Sequence, residues 1–259
     1  MSTAPNSRRC SVLAGFAAAV LLVAGFGAAY AEPVKNIVLV HGAFADGSSW
    51  ARVIPMLQAK GLKVVAVQNP LTSLADDVAA AKRVIDAQNG PVILVGHSWG
   101  GTVITEAGGN PKVAALVYVA AFAPDAGQST SDLDKDLPPS PGKSSFRPDG
   151  SGFLYLTPEG VAKDFAQDLP AAQTKVMAVT QGPIAGKSFD EKVTNAAWKS
   201  KPSWYIVAEN DRIIQPDLER AMAKKISAKT TSLPTSHVPM VSRPNDVATV
   251  ILAAAVATK

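Results

Sequence analysis

The stretch that most constrains the fold of this chain lies at residues 91–108. An apolar, β-branched run at residues 91–95, bounded by proline and glycine, predicts a short buried strand. It is followed by Gly96-His97-Ser98-Trp99-Gly100-Gly101 and by residues 102–108, which can continue as a helix. Gly-x-Ser-x-Gly between a strand and a helix predicts a sharp turn with a strained serine. Such a turn lifts the Ser98 hydroxyl above the edge of a sheet, where it can act as a nucleophile.

The alternation of strands and helices around this turn predicts the rest of the architecture. Apolar runs predict strands at residues 34–40, 62–67, 113–122 and 204–208, and we predict a last strand at residues 230–233. Apolar residues at helical spacing predict helices at residues 48–60, 73–88 and 216–226, and a last one that begins at Asn245 or Asp246. Strands that alternate with helices form parallel sheets covered on both faces. We therefore expect an α/β fold, a mostly parallel sheet flanked by helices, in a single domain over residues 32–259.

A long insertion interrupts this alternation after the strand that ends near Phe122. Residues 124–201 include Pro138-Pro139-Ser140-Pro141-Gly142, which predicts a loop, and several short helical pieces. The segment is longer than a connection between strands requires, and active-site lids are common among such insertions. We predict a helical cap over the Ser98 turn. The alternative is that these residues only pack against the edge of the sheet.

The N-terminal residues predict a signal peptide over residues 1–31. Ser7-Arg8-Arg9 supplies a positive start, residues 12–28 are apolar, and Ala29-Tyr30-Ala31 has the small-x-small pattern of a cleavage site. A membrane anchor is the alternative, because the apolar run approaches spanning length. We predict an exported protein, periplasmic or secreted, with no stable membrane association after cleavage.

Composition excludes several classes of protein. With 47% hydrophobic and 18% charged residues, the chain is typical of a globular domain and not of a disordered segment. Its formal net charge is +4 and it contains no basic run, so nucleic acid is not expected as a partner.

The chain contains three histidines, so the base that would activate Ser98 can be argued by elimination. A serine hydroxyl needs a base to take its proton and a third group to orient that base. His97 adjoins the serine at a strand end, where neighbouring side chains point to opposite faces, and is predicted to be a packed orienting residue. His237 lies in a proline-bounded loop after the last strand, where its side chain can reach over the sheet edge. We predict His237 as the base, with His41 as the alternative.

The carboxylate that orients the base is predicted at Asp211. It must fall between Ser98 and His237 in the chain order that goes with a Gly-x-Ser-x-Gly turn. Asp211 stands just past the fifth predicted strand, at the carboxyl edge where such sheets place their sites. Asp125, just past the preceding strand, is the alternative.

A tetrahedral intermediate at the serine would need two backbone donors. One is predicted to be the amide of Trp99, directly after the serine. The other is predicted to be the amide of Ala43, in the loop after the first strand, with Phe44 as the alternative. Three residues near the strand ends are predicted to line a substrate pocket: Phe44, His41 and Phe122.

Four features in this chain order resemble the α/β-hydrolase fold superfamily: residues 41–44 (His-Gly-Ala-Phe), the Ser98 turn, Asp211 and His237. Residues 41–50 (His-Gly-Ala-Phe-Ala-Asp-Gly-Ser-Ser-Trp) and 120–125 (Ala-Ala-Phe-Ala-Pro-Asp) are more closely similar to a small esterase branch. That branch includes plant methylesterases, hydroxynitrile lyases and bacterial carboxylesterase-like hydrolases. The resemblance implies a carboxylic-ester hydrolase that forms an acyl-enzyme on Ser98, with no metal and no organic cofactor. The apolar insertion indicates a small to medium ester as its small-molecule substrate.

Other activities stay open on the same residues. Hydroxynitrile lyases of this branch resemble each other in having a threonine after the first-loop histidine and a lysine after the catalytic histidine. Here those positions hold Gly42 and Val238, which counts against a lyase. A cofactor-free haloperoxidase or perhydrolase would share the three proposed residues. A non-catalytic ligand-binding module is the remaining hypothesis, and the intact set of residues argues against it. The sequence predicts no oligomeric state.

Overall fold

The computed structural model describes residues 1–4 and 33–258. The signal peptide predicted for residues 1–31 falls almost entirely outside the described residues, so export stays a prediction. In the described ranges, no helix combines the length and the apolar character needed to cross a membrane.

A six-stranded parallel sheet forms the centre of the fold. In chain order the described strands are β1 (Asn36–Val40), β2 (Lys63–Ala66), β3 (Val92–Ser98), β4 (Val113–Ala121), β5 (Phe146–Pro148), β6 (Phe153–Leu156), β7 (Ile184–Ala185), β8 (Ser203–Ala208) and β9 (Lys229–Leu233). The central sheet has the spatial order β2-β1-β3-β4-β8-β9, and each neighbouring pair is parallel. The strands inside this sheet are almost entirely buried, whereas the edge strands β2 and β9 are partly exposed. This difference explains why the inner strands are continuous apolar runs in the sequence.

Helices flank this sheet, and the described ones agree with most of the predicted segments. They are α1 (Ile54–Gln58), α2 (Leu74–Asp86), α3 (Trp99–Ala107), α4 (Ser131–Asp134), α5 (Pro158–Gly160), α6 (Ala171–Thr180), α7 (Pro216–Lys225), α8 (Pro239–Ser242) and α9 (Pro244–Ala257). Helix α2 packs against α3, and α9 packs against β3, β4 and β8. Ser73 caps α2 by accepting a hydrogen bond from the Asp76 amide.

The first predicted helix, at residues 48–60, is divided in the structure. A 3₁₀ turn occupies Gly47–Trp50, and α1 begins only at Ile54. Pro55 lies in the first turn of α1, where its missing N–H costs no hydrogen bond. The proline therefore fixes where the regular helix can begin.

The insertion differs from the helical cap that the sequence predicts, because it carries a small antiparallel sheet of β5, β6 and β7. The β5–β6 hairpin is closed by a loop that contains Asp149-Gly150, a pair typical of turns between strands. The Asp149 carboxylate accepts a 2.9 Å hydrogen bond from the Phe153 amide, and Gly152 has a positive φ of 84°. Local turn chemistry thus favours a hairpin in an insertion for which the sequence predicts only a loop and short helical pieces.

Candidate active site

Ser98 occupies a strained turn between β3 and α3. Its backbone angles, φ 52° and ψ −120°, lie in a region that residues with a side chain rarely adopt. Glycines make the turn possible, because the chain passes close to itself. A Cβ on Gly96 would lie 2.5 Å from the Gly100 carbonyl oxygen, and one on Gly100 would lie 2.6 Å from the Val40 oxygen. The predicted Gly-x-Ser-x-Gly geometry is present.

Ser98, His237 and Asp211 form a continuous hydrogen-bonded chain. The Ser98 Oγ lies 2.8 Å from His237 Nε2, and His237 Nδ1 lies 2.5 Å from Asp211 Oδ2. The side chains of the histidine and the aspartate are both fully buried. When Nδ1 donates to the carboxylate, Nε2 has a free lone pair that can accept the hydroxyl proton. The structure thus brings together the three residues that the sequence predicts as nucleophile, base and acid.

The Asp211 carboxylate is oriented by backbone donors from its own loop. Its Oδ1 accepts hydrogen bonds of 2.7 Å from the Ile213 amide and 2.9 Å from the Ile214 amide. These bonds leave Oδ2 directed at His237, so the acid is fixed before any substrate binds.

A second acid, Glu219 on α7, lies behind Asp211. It is fully buried, and its Oε2 accepts a 2.9 Å hydrogen bond from the Ala208 amide. Burial raises the pKa of Glu219 well above its ordinary value, and the neighbouring Asp211 raises it further through its charge. Glu219 is therefore a buried, neutral acid next to Asp211.

His97 holds the backbone of His237. Its Nε2 donates a 2.7 Å hydrogen bond to the His237 carbonyl oxygen. Burial lowers the pKa of His97 well below its ordinary value, and the neighbouring His237 lowers it further, so the ring stays neutral. The phenyl ring of Phe165 packs edge-on against the His237 ring at a centroid distance of 5.1 Å. His97 thus has the packed, orienting position that the sequence predicts.

The insertion also anchors the loops that carry the acid and the base. The Asp168 carboxylate accepts a 2.9 Å hydrogen bond from the Ser236 amide and a 2.5 Å bond from its hydroxyl. Asp164 forms a 2.7 Å ion pair with Arg212. Asp164 lies within a π-helical turn at Val161–Phe165, a structure that often marks functional sites, and Asp168 follows it three residues later. Asp164 and Asp168 therefore link the insertion to the two loops that carry Asp211 and His237.

Two backbone amides are the candidates for an oxyanion hole. Trp99 is the first residue of α3, where backbone N–H groups have no acceptor within the helix. The Phe44 amide donates a 3.1 Å hydrogen bond to the Gly182 carbonyl oxygen, so this alternative donor is engaged. Ala43, which lines the same cavity as Ser98, remains the candidate donor from the loop after β1.

Ser98 lines a cavity of about 230 Å³ beneath the insertion. Its polar rim includes an ion pair of 2.9 Å between Lys143 and Asp134. Phe44 and Phe122 line the cavity, where the sequence predicts them. Its apolar wall comes from the loops after β1 and β4, from the insertion and from the Asp211 loop: Phe44, Phe122, Phe146, Leu154, Phe189 and Ile213.

The prediction that His41 lines the substrate pocket is wrong. The residue is buried and does not line this cavity. Its Nε2 accepts a 2.9 Å hydrogen bond from the Asn69 amide, and its Nδ1 lies 2.8 Å from the Gly42 carbonyl oxygen. Both ring nitrogens are thus engaged, and His41 braces the loop after β1 instead of facing a substrate.

The alternative to Asp211 as the acid lies outside the hydrogen-bonded chain of Ser98, His237 and Asp211. Asp125, the alternative acid, pairs with Lys199 at 2.5 Å near the surface. In residues 1–4 and 33–258, no group of three or more histidine, cysteine or acidic side chains is arranged to hold a metal ion.

Sequence reasoning missed the carboxylates of Asp77 and Glu219, although both leave a signal. Asp77 lies on the face of α2 that also carries Leu74, Val78 and Ala81, and it is fully buried. Glu219 likewise shares a face of α7 with the buried residues Met222 and Ala223. An acid on the apolar stripe of an amphipathic helix must find a buried partner, which marks it for attention.

Comparisons with known proteins agree with this fold. Methylesterase 3 of Arabidopsis thaliana is 26% identical over 252 residues, which cover 85% of this chain and 96% of the relative. A probable hydrolase of a Phoma species is 27% identical over 237 residues, which cover 83% and 96%. A crystal structure of a pyrethroid hydrolase from Sphingobium faniae matches with a TM-score of 0.73 at 24% identity, covers 86% of this chain and 97% of that one, and is similar in fold.

Fold and relatives together define a hydrolase, in a group of proteins that includes several esterases. The match to the alpha/beta hydrolase family extends over residues 37–250, which include Ser98, Asp211 and His237. The chain belongs to the alpha/beta hydrolase family.

Proposed function

We propose that this protein is a carboxylic-ester hydrolase with Ser98 as nucleophile, His237 as base and Asp211 as the acid that orients it. The observation that carries the proposal is the buried hydrogen-bonded chain from Asp211 through His237 to the Ser98 hydroxyl, which opens onto a mainly apolar cavity. The methylesterases and a pyrethroid hydrolase among the relatives support ester hydrolysis at the level of the family.

In the proposed acylation step, the Ser98 Oγ attacks the ester carbonyl carbon while His237 Nε2 takes its proton. Asp211 stabilises the imidazolium that forms. The amides of Trp99 and Ala43 bind the negative oxygen of the tetrahedral intermediate. His237 then gives its proton to the leaving alcohol, and the acyl group stays on the serine.

In the proposed deacylation step, water takes the place of the alcohol. His237 accepts a proton from this water, whose oxygen attacks the acyl carbon. The second tetrahedral intermediate collapses, the carboxylic acid leaves, and His237 returns the proton to the Ser98 Oγ. Both half-reactions use the same three side chains and need no added group.

The shape of the cavity supports a small to medium, largely apolar substrate. Six aromatic or aliphatic side chains form its wall, and its volume is about 230 Å³. Two positions disfavour a lyase. A Cβ on Gly42 would lie 2.7 Å from the Ser98 Cβ, so a threonine does not fit there, and Val238 after the base is buried and apolar.

The test is hydrolysis of p-nitrophenyl esters of rising acyl length by the purified protein and by Ser98→Ala. Ser140→Ala is the matched control, because Ser140 lines the cavity but lies outside the hydrogen-bonded chain. We expect Ser98→Ala to lower kcat by a factor on the order of 10³ or more and Ser140→Ala to change it a few-fold at most. Equal turnover by the wild type and Ser98→Ala, or no turnover of any ester, would refute the proposal.

We also propose that residues 1–31 direct export and are removed. The support is the charged, apolar and small-residue pattern of the sequence. N-terminal sequencing of the protein from a periplasmic or culture fraction should begin at Glu32. An uncleaved chain in the cytoplasmic fraction would contradict this proposal.

A further inference from the structure

A second groove, of about 210 Å³, adjoins the active-site cavity. It lies between the segment after β1 and helix α6 of the insertion. Val238 and Val241, from the loop and short helix that follow His237, line part of it. The groove therefore borders the segment that carries the proposed base.

A single side chain, Phe44, lines both the groove and the cavity of Ser98. Its backbone has a positive φ of 59°, and its amide is held by the Gly182 carbonyl oxygen of the insertion. Its ring packs against Phe146 at a centroid distance of 5.1 Å. The aromatic ring thus forms a shared wall, and two spaces of similar volume meet at it.

The chemistry of ester cleavage assigns the two halves of a substrate to different sides. His237 must give its proton to the leaving alcohol, so the alcohol oxygen has to lie next to Nε2. The carbonyl oxygen lies on the other side, at the amides of Trp99 and Ala43. The body of the alcohol is therefore directed toward the side of the base, where Val238 lines the groove.

We propose that this groove is the subsite for the alcohol portion of the ester, while the cavity lined by Phe122, Leu154 and Phe189 holds the acyl portion. The inference rests on the proposed ester hydrolysis. Phe44 separates the two portions and contacts both.

The lining of the groove indicates the chemical class of the alcohol. Met177, Val176 and Val241 offer apolar contacts. The Arg52 guanidinium donates 2.8 Å and 3.1 Å hydrogen bonds to the Val241 carbonyl and to Gln173 Oε1, and in the described part of the chain it has no carboxylate partner. Its remaining N–H groups can donate to a ligand. The groove therefore fits an uncharged alcohol with an apolar body and an ether or carbonyl oxygen that Arg52 binds.

A bulky substitution at the exposed edge of the groove tests whether the groove binds the alcohol portion of the ester. Ala51 is exposed and lines the groove, so Ala51→Trp narrows it without disturbing the core. Val179→Trp is the control, because Val179 is 82% exposed on α6 and lines neither space. Ala51→Trp should lower kcat/KM at least tenfold more for a 2-phenoxyethyl ester than for the methyl ester of the same acid, and Val179→Trp should leave this ratio unchanged. An unchanged ratio in Ala51→Trp, or a change in the preference for acyl length, would overturn the assignment.

A matched pair of substrates tests the role of Arg52. The 2-phenoxyethyl and 3-phenylpropyl esters of one acid differ only by an oxygen in place of a methylene. The wild type should prefer the phenoxyethyl ester about tenfold, and Arg52→Met should abolish that preference while it still hydrolyses both. Equal preference in the wild type and Arg52→Met would overturn the role of Arg52. Absence of all ester turnover in the wild type would instead refute the proposed function, so the two failures are distinguishable.

Discussion

The indole Nε1 of Trp99 donates a 2.7 Å hydrogen bond to the buried carboxylate of Asp77. The other oxygen of this carboxylate accepts a 2.7 Å bond from the Leu71 amide. The Leu71 carbonyl in turn accepts a 2.8 Å bond from the Ala185 amide on β7 of the insertion. One acid on α2 therefore joins a proposed oxyanion residue to the cap.

Asp77 makes the stability of the protein depend on pH. Burial raises its pKa from 3.8 to about 6. Between these values the folded state binds a proton that the unfolded state releases, so the free energy of unfolding falls as the pH rises from about 4 to about 6. The shift corresponds to at most about 3 kcal/mol. Denaturant unfolding from pH 4 to 7.5 should show this loss in the wild type and not in Asp77→Asn; parallel curves would contradict it.

Gly42 leaves room for Ser98. A Cβ at this position would lie 2.7 Å from the Ser98 Cβ and 3.0 Å from His97 Nδ1. Gly42→Ala should therefore displace the serine and lower kcat by about 10²-fold, since small displacements of a reacting group cost this much. Gly150→Ala is the control, because no atom lies within 4 Å of its Cβ position. Esterase kinetics of both variants, with circular dichroism to verify folding, test this; full activity of Gly42→Ala would contradict it.

Asp168 is a positioning residue for the base, since it holds Ser236, the residue before His237. Asp168→Asn should lower kcat on the order of tenfold to a hundredfold with little change in KM, because the imidazole loses its alignment and the cavity keeps its shape. Asp132→Asn is a matched control: Asp132 also accepts a 2.9 Å hydrogen bond from a serine amide, that of Ser129, but does not contact the loops of Asp211 and His237. A rise in KM alone, or equal effects of both variants, would argue against this role.

Glu219 should be replaceable by its neutral analogue. Because the acid is buried in the protonated form, Glu219→Gln retains an acceptor for the Ala208 amide and stays neutral next to Asp211. Glu219→Leu leaves that amide unsatisfied, which costs about 1–3 kcal/mol. Thermal unfolding and the pH profile of kcat/KM should be close to wild type for the glutamine variant and impaired for the leucine variant. Equal impairment of both would show that the ionised form is needed.

Two of the main site residues could be predicted because Ser98 and Asp211 come at the ends of apolar runs that the sheet buries, and His237 because it follows the last predicted strand. Ser98 ends β3, and Asp211 and His237 follow β8 and β9 of the same parallel sheet, whose carboxyl ends meet at one edge. The predicted strands and the chain order were therefore enough to predict that these three residues lie close together.

The contacts that hold the site residues in place could not be predicted from the sequence, for physical reasons. Asp168 and Ser236 are 68 residues apart, and one of them lies in an insertion without regular periodicity. The position of His41 at the end of a predicted strand placed the residue at the same sheet edge as Ser98, but it did not show which way the imidazole ring points. The hairpin of the insertion could have been read from Asp149-Gly150, whereas its packing over Ser98 depends on tertiary contacts that no local pattern specifies.

The central claim is that Ser98 is the nucleophile, and covalent trapping tests it most directly. The wild type and Ser98→Ala are treated with a fluorophosphonate, digested, and mapped by mass spectrometry. The account predicts one adduct, on the Ser98 side chain, together with loss of ester turnover, and no adduct in Ser98→Ala. An unmodified Ser98 in the wild type, or an adduct on another residue that abolishes turnover, would contradict it.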